Sequence, residues 1–285
     1  MIEVWFLLLL GGVWILIASW QDLKNREVLN WLSFSLIAFA LGFRFFYSLF
    51  NSSNTVNFMF LYQGLIGLGI FFILGNLLYY GRVFAGGDAK LMIALGSVLP
   101  LTSDFIVNVK GFVLFFIIFL FSGMVYGMIW SLVLTFKHFG NFKIESKRLF
   151  WKNKKVIFLV MIMGLVFMLI GFIEEIFFII GSFIFLIPYV FVYAKAIDNS
   201  CMIKNIKTRE LTEGDWLYKD VKISRNKIIK ANWEGLTLKE IVLLREKKKQ
   251  VLIRHGIPFV PVFLIAFLVF VYVWFSYGIE FINWF

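Results

Sequence analysis

Long apolar stretches separated by short polar ones dominate the chain. A helix needs about 17–25 apolar residues to cross a bilayer, and runs that approach or reach this length lie near 3–20, 30–50, 58–80, 91–107, 111–136, 156–172, 175–194 and 258–283. The pattern predicts an all-α polytopic membrane protein with about eight transmembrane helices. The fourth run is interrupted at Pro100, Thr102, Ser103 and Asp104, so it predicts a short or broken helix.

One long polar segment, residues 195–257, separates the last apolar run from the others. Residues 205–223 mix β-branched and polar side chains around Glu213-Gly214-Asp215, a pattern that predicts short strands joined by a turn. Thr237 and Glu240 form a capping-box pattern, so a helix should begin at Thr237. These patterns divide the chain into membrane helices 1–7, a small cytoplasmic α+β insert and a last membrane helix, over residues 1–194, 195–257 and 258–285.

The distribution of basic residues predicts the orientation in the membrane, because Lys and Arg near span ends stay on the cytoplasmic side. If the N-terminus is placed outside, all of the 28 Lys and Arg residues except Arg44 and Lys110 fall in cytoplasmic segments. Both termini are then extracytoplasmic. The same assignment places Asp22 and Asp88 on one face of the membrane.

Composition excludes several classes of protein. With 61% hydrophobic and only 16% charged residues, the chain is not an ordinary soluble domain. Its net charge of +11 lies in cytoplasmic loops, where membrane insertion and anionic lipid headgroups account for it, so no nucleic-acid partner is predicted. The first apolar run lacks a basic leader and a cleavage site, so we expect it to remain as a span. A single cysteine, Cys201, permits no internal disulfide and no cysteine zinc site, and no metal or cofactor is predicted.

Two aspartates at the edges of apolar runs are the candidate catalytic residues. Asp22 follows the first run, and Asp88 follows Gly86 and Gly87 before the fourth. An ionisable side chain at membrane depth is costly and therefore indicates function. Nucleophilic catalysis by Ser or Cys requires a base such as histidine, and no histidine lies near either aspartate in the sequence. Paired carboxyls, one protonated and one acting as a base on water, remain as the chemistry that these residues support.

Two other interpretations of the aspartates stay open at this point. Asp22 is followed by Lys24 and Arg26, so it fits a charged interfacial turn with no catalytic role. A transporter or assembly scaffold would use interfacial carboxylates as proton or ion sites. That class predicts polar residues deep within several spans, for which Gln63 and Asn76 give little support.

The residues around both aspartates resemble the archaeal preflagellin and type IV prepilin peptidases, which are membrane aspartic endopeptidases of the Gly-x-Gly-Asp class. The first motif is matched by residues 22–31, Asp-Leu-Lys-Asn-Arg-Glu-Val-Leu-Asn-Trp, with Leu29 where a proline is common. The second is matched by residues 86–92, Gly-Gly-Asp-Ala-Lys-Leu-Met, with Ala85 where the strict pattern has glycine. The resemblance extends into the insert, and residues 137–194 hold an extra hairpin of spans.

This resemblance implies an enzyme that removes a short basic leader from archaellin or type IV pilin precursors at the cytoplasmic face. Asp22 and Asp88 would be the catalytic pair. Gly86, Gly87 and Lys90 would support the site or contact the substrate. The precursor and the lipid bilayer are the implied partners, and the oligomeric state is left open. A presenilin-like intramembrane protease is a weaker alternative, because in that class the first aspartate lies in a Tyr-Asp step within a span.

Overall fold

The chain folds into long helices with a small strand-containing insert. The computed structural model describes residues 2–50, 58–224, 227–248 and 250–283, with the backbone alone for 278–283. The helices are α1 (Ile2–Asn25), α2 (Asn30–Phe50), α3 (Met59–Tyr80), α4 (Gly86–Leu95), α5 (Phe105–Lys137), α6 (Phe139–Ile170), α7 (Glu175–Ser200), α8 (Leu238–Lys247) and α9 (Val260–Asn283). The strands are β1 (Ile203–Lys207), β2 (Trp216–Leu217), β3 (Val221–Ser224), β4 (Lys227–Ile229) and β5 (Gln250–Arg254).

The predicted fold class is confirmed, since the structure is that of a multi-pass membrane protein. Within the described residues, seven helices are long and apolar enough to span a bilayer, namely α1, α2, α3, α5, α6, α7 and α9. The fourth predicted run differs from the other seven, because only the ten-residue α4 forms there. The helix stops at Leu95, turns follow, and Pro100 offers no backbone N–H with which a helix could continue.

The chain divides into two compact units, each described by itself. Unit 1 contains residues 1–127 and 257–285, and unit 2 contains residues 128–256. The predicted domain boundaries at 194 and 257 stay a prediction. In unit 1, α1 packs against α9, and α3 packs against both α2 and α4. Its core is rich in fully buried aromatic rings, Phe71, Phe115, Phe119, Phe263, Phe267 and Phe270 among them.

A buried arginine binds the backbone carbonyls that follow α4. Arg44 of α2 is 0% exposed. Its guanidinium donates to the backbone carbonyls of Ser97 at 2.9 Å, Val98 at 3.3 Å, Phe60 at 2.9 Å, and also of Pro100. Carbonyls beyond the end of a helix have no partner in hydrocarbon, where each unsatisfied group costs several kcal/mol. Arg44 therefore supplies the hydrogen bonds that the interrupted helix lacks.

Glycines on α3 make room for this arrangement. A Cβ built on Gly64 would lie 2.5 Å from Cδ of Arg44, so a larger residue there would displace the guanidinium. Gly67 and Gly96 bring the backbones of α3 and the end of α4 into direct contact. Small residues that let helices approach closely are typical of packing within membranes.

A second polar cluster supports the segment between α4 and α5. The buried Asn108 donates to Oε1 of Gln63 at 3.0 Å and accepts from the backbone N–H of Thr102 at 3.1 Å. Gln63 donates in turn to the carbonyl of Ser103 at 3.4 Å. Non-helical backbone at membrane depth is tolerated where protein groups satisfy it, and these side chains satisfy part of residues 102–103.

Unit 2 joins a helical hairpin to the insert. Helices α6 and α7 pack along each other, with Gly164 and Gly181 at their contact. In the insert, the strands form an antiparallel sheet in the order β1-β5-β2 and a separate β3–β4 pair. The predicted helix start is confirmed, because Thr237 caps α8 and Glu240 donates its backbone N–H to Oγ1 of Thr237 at 3.4 Å. The predicted strands are also present, and the turn contains Gly214 at φ 92°.

Replacing Arg44 by Met should destabilise the protein strongly. The substitution leaves several buried carbonyls unsatisfied, at about 1–3 kcal/mol each. We expect the apparent melting temperature in detergent to fall by roughly 5 °C or more. The melting temperature of Arg44→Lys should lie between those of Arg44→Met and the wild type, because lysine retains the charge without the planar set of donors.

The matched control is Lys110→Met, which removes the other basic residue predicted on the same side of the membrane and should change the melting temperature little. Equal melting temperatures of the wild type and Arg44→Met would contradict the claim that Arg44 stabilises the fold by satisfying buried carbonyls.

Candidate active site

Asp22 lies in the last turn of α1, and its side chain is buried. The first apolar run was predicted near 3–20, with Asp22 following it, but the helix continues to Asn25. Arg26 then takes a left-handed conformation, φ 59°, and donates its backbone N–H to the carbonyl of Asp22 at 2.9 Å. This turn at Arg26 ends α1 four residues after Asp22, whose carboxyl is buried within unit 1.

The Asp22 carboxylate binds the N-terminus of the last membrane helix. Its Oδ2 accepts from the backbone N–H of Val260, the first residue of α9, at 2.9 Å. The first N–H groups of a helix lack partners within the helix and carry partial positive charge, so a carboxylate is a favourable partner. The hydrogen bond spans 238 residues of sequence and joins the two ends of unit 1.

Asp88 occupies the N-terminal turn of α4, outside the seven spanning helices. It is the third helical residue, and its Oδ2 accepts from the backbone N–H of Ala85 at 3.3 Å. The residue keeps some exposed surface, but protein atoms surround the carboxyl closely. Burial, followed by the charge of Asp22, raises the pKa of Asp88 to about 7, against the opposing effect of the Ala85 N–H.

The two predicted aspartates therefore form one electrostatic unit. They come from helices α1 and α4, which the sequence separates by α2 and α3, yet the charge of Asp22 acts on the proton affinity of Asp88. Two such carboxyls do not ionise independently, and they titrate as a pair. With a pKa of about 7, Asp88 carries its proton at mildly acidic pH, within electrostatic reach of Asp22.

Lys90 links the two sequence motifs. Its Nζ donates to Oδ1 of Asn30 at 2.6 Å, and Asn30 begins α2 in the first motif. The lysine side chain is exposed. Lys90 is not among the causes of the raised pKa of Asp88, and its supporting role stays a prediction.

The two glycines before Asp88 face the first motif and α3. A Cβ on Gly87 would lie 3.5 Å from Cβ of Val28, and one on Gly86 would lie 3.9 Å from the Tyr79 ring. Both distances are ordinary van der Waals contacts, and neither glycine has a positive φ. Alanine therefore fits at both positions, and the supporting role of Gly86 and Gly87 stays a prediction.

Two further residues lie within electrostatic reach of Asp22. Arg26 and Tyr126 of α5 both interact with its charge and with each other. Arg26 is part of the first motif, whereas nothing in the sequence around Tyr126 indicates a site. Burial lowers the pKa of Arg26, and the charge of Asp22 opposes that effect. No three His, Cys, Asp or Glu side chains among the described residues converge in a way that would hold a metal ion.

Comparison with known proteins shows which family this chain resembles. The type IV leader peptidase family matches residues 9–132, a range that contains both aspartates and Lys90. Residues 9–132 are therefore similar to the type IV leader peptidases.

Three archaeal proteins are also similar to this chain. Preflagellin peptidases are 29% identical over 92 residues in Methanococcus maripaludis, 32% over 92 residues in Methanocaldococcus jannaschii and 33% over 93 residues in Methanococcus voltae. Each match covers 32% of this chain and 37 or 38% of the relative. No solved structure matches the chain. Val260, the partner of Asp22, lies outside the family match.

The raised pKa of Asp88 predicts a pH-dependent effect on stability. A carboxyl with a pKa of 3.8 when unfolded and about 7 when folded stabilises the fold below the lower value, and this contribution is lost as pH rises towards the higher one. Asp88→Asn does not ionise and keeps an acceptor for the Ala85 N–H. We expect its apparent melting temperature to exceed that of the wild type by a few degrees at pH 8 and to match it at pH 4.

Melting scans at both pH values, with Glu27→Gln as the control carboxylate, measure this difference. If Asp88→Asn changed the melting temperature by the same amount at pH 4 and pH 8, ionisation of Asp88 would not be the cause of the change.

Proposed function

We propose that this chain is a membrane aspartic endopeptidase that removes the short basic leader peptide of archaellin or type IV pilin precursors. Asp22 and Asp88 are the proposed catalytic residues. The family match over residues 9–132 supports the class of reaction. The preflagellin peptidases among the relatives support the class of substrate.

The observation that carries the proposal is the electrostatic coupling of the two carboxyls. Burial and, as the second cause, the charge of Asp22 raise the pKa of Asp88 to about 7, so a large fraction of the pairs holds a proton at neutral pH. Aspartic hydrolysis needs this state, in which one carboxyl donates a hydrogen bond and the other accepts a proton. An isolated interfacial aspartate in a charged turn would have no such partner.

The two roles follow from the surroundings of each carboxyl. Asp88 holds the proton and donates it to the oxygen of the scissile carbonyl. Asp22, oriented by the Val260 N–H, takes a proton from water, and the water oxygen bonds to the carbonyl carbon. When the tetrahedral intermediate collapses, the C–N bond breaks, the leaving amine takes the proton from Asp22, and the hydroxyl formed from the carbonyl oxygen returns its proton to Asp88.

The basic residues of the chain support a cytoplasmic site. With both termini outside, the loops that carry all Lys and Arg except Arg44 and Lys110 lie in the cytoplasm, as do Asp22 and Asp88. The substrate then approaches as a basic leader followed by a membrane helix, and the lipid bilayer aligns it. Cleavage falls at the cytoplasmic surface.

Cleavage of a membrane-embedded precursor by aspartate variants tests the proposal. Asp22→Asn and Asp88→Asn keep a side-chain oxygen that accepts from Val260 or Ala85, but neither residue exchanges a proton. We expect each to lower kcat by at least about a thousandfold, as for the loss of one member of a catalytic unit. Single-turnover cleavage of a preflagellin and of a type IV prepilin in liposomes measures this loss.

Glu27→Gln is the matched control, because it removes a nearby carboxylate that is exposed and should leave cleavage unchanged. Asp22→Ala separates the structural role from the catalytic one, since it also removes the acceptor for α9 and should lower the melting temperature. Full activity in either Asn variant would contradict the catalytic pair, and no cleavage by the wild type would favour a transporter or scaffold.

The Lys90–Asn30 hydrogen bond gives a test of the supporting residues. If Lys90 acts through Asn30, then Lys90→Met, Asn30→Ala and the double variant should each lower cleavage by about the same factor, roughly three- to tenfold. Initial rates at saturating and limiting precursor provide the double-mutant cycle. Additive losses would show that Lys90 contributes independently, as in direct contact with the substrate.

A further inference from the structure

A cavity lies between α6 and α7 in unit 2. Its volume is about 160 Å³. The lining is largely aromatic and apolar, with Phe142, Phe150 and Ile157 from α6 and Pro188, Tyr189 and Tyr193 from α7. Apolar cavities of about 150 Å³ exclude water and accept small apolar groups. This cavity is therefore suited to a segment of hydrocarbon.

A stripe of lysines runs beside the cavity on α6. At about 100° of rotation per residue, Lys143, Lys147 and Lys154 lie within about 40° of one another and next to the face that contains Phe142, Ser146 and Phe150. All three lysines are exposed. Lys154 also lies over the Trp151 ring at 5.3 Å. We call these three residues the lysine stripe.

The cavity spans the point at which α6 changes from basic to apolar. From Lys137 to Lys155, the sequence contains seven Lys and Arg residues, and from Val156 to Ile170 it contains none. The tyrosines that line the cavity from α7 are of the type enriched at membrane–water interfaces. An anion beside the lysines would thus be attached to a chain that enters an apolar cavity.

We propose that the α6–α7 hairpin binds an anionic phospholipid, with the phosphate at the lysine stripe and part of one acyl chain in the cavity. A phospholipid has both the negative charge and the apolar chain that these neighbouring surfaces match. A free phosphate has no apolar chain to occupy the cavity. A zwitterionic lipid has no net negative charge, so the three lysines would add little to its binding free energy. The site lies outside residues 9–132 and does not depend on the proposed peptidase activity.

Native mass spectrometry of the full-length protein in neutral detergent tests the proposal. Titration with phosphatidylglycerol should give a bound lipid that phosphatidylcholine does not match at equal concentration. Lys147→Gln/Lys154→Gln should weaken binding roughly 30-fold, from about a fivefold step for each of the two surface lysines. Ser146→Phe, which fills the cavity, should weaken binding of phosphatidylglycerol but not of its headgroup glycerophosphoglycerol.

Lys152→Gln/Lys155→Gln is the matched control, because it removes the same charge from other faces of the same helix. It should leave the affinity within about twofold of wild type. Equal weakening by the two double variants would overturn the proposal in favour of diffuse charge attraction. Equal binding of the two lipids, or an unchanged affinity in Ser146→Phe, would overturn it as well. A melting scan of each variant without lipid confirms that it is folded.

Discussion

The hydrogen bonds of the buried Arg44 are the constraint on which unit 1 depends. A span that breaks inside a membrane exposes carbonyls that hydrocarbon does not solvate, and here a guanidinium satisfies those of Ser97, Val98 and Pro100. The arginine also binds Phe60 at the start of α3. It thereby fixes α4 against α2 and α3. Because Asp88 lies at the other end of the ten-residue α4, the position of this carboxyl depends on the same contact.

The second constraint is the hydrogen bond between Asp22 and the start of α9. It has a structural meaning whether or not Asp22 is catalytic, because the carboxylate satisfies a helix N-terminus. The last helix is thus attached to the motif that follows α1, although 238 residues separate the two. A carboxyl oriented in this way has few alternative positions. In the proposed mechanism, that rigidity holds the base in place while Asp88 carries the proton.

Much of the fold could be predicted from local sequence patterns. The apolar runs predicted the long helices, and the Thr237–Glu240 capping box predicted the start of α8, because each depends on neighbouring residues. The partners of Arg44 could not be predicted, since they are backbone carbonyls 16 to 56 residues away. A charged residue between Phe43 and Phe45 was nevertheless a signal of a buried role. By the charge rule alone, Arg44 is simply one of the two basic residues predicted outside the cytoplasm.

The candidate site could be predicted as a pair of residues but not as an electrostatic unit. The motifs around Asp22 and Asp88 indicated both aspartates, and the charge pattern placed them on one face. Their coupling depends on how α1 and α4 pack within unit 1. The Val260 contact and the proximity of Tyr126 arise from helices α9 and α5, about which the two motifs contain no information.

The most direct test of the central claim is a titration of the Asp88 carboxyl by ¹³C NMR, in wild type and in Asp22→Asn. The coupled pair predicts a pKa for Asp88 of about 7 in the wild type and a lower pKa in the variant, because the neighbouring charge is gone while the hydrogen bond to α9 is retained. An Asp88 pKa near 3.8, its ordinary value, or one that does not change in Asp22→Asn, would contradict the claim that the two carboxyls act as a pair.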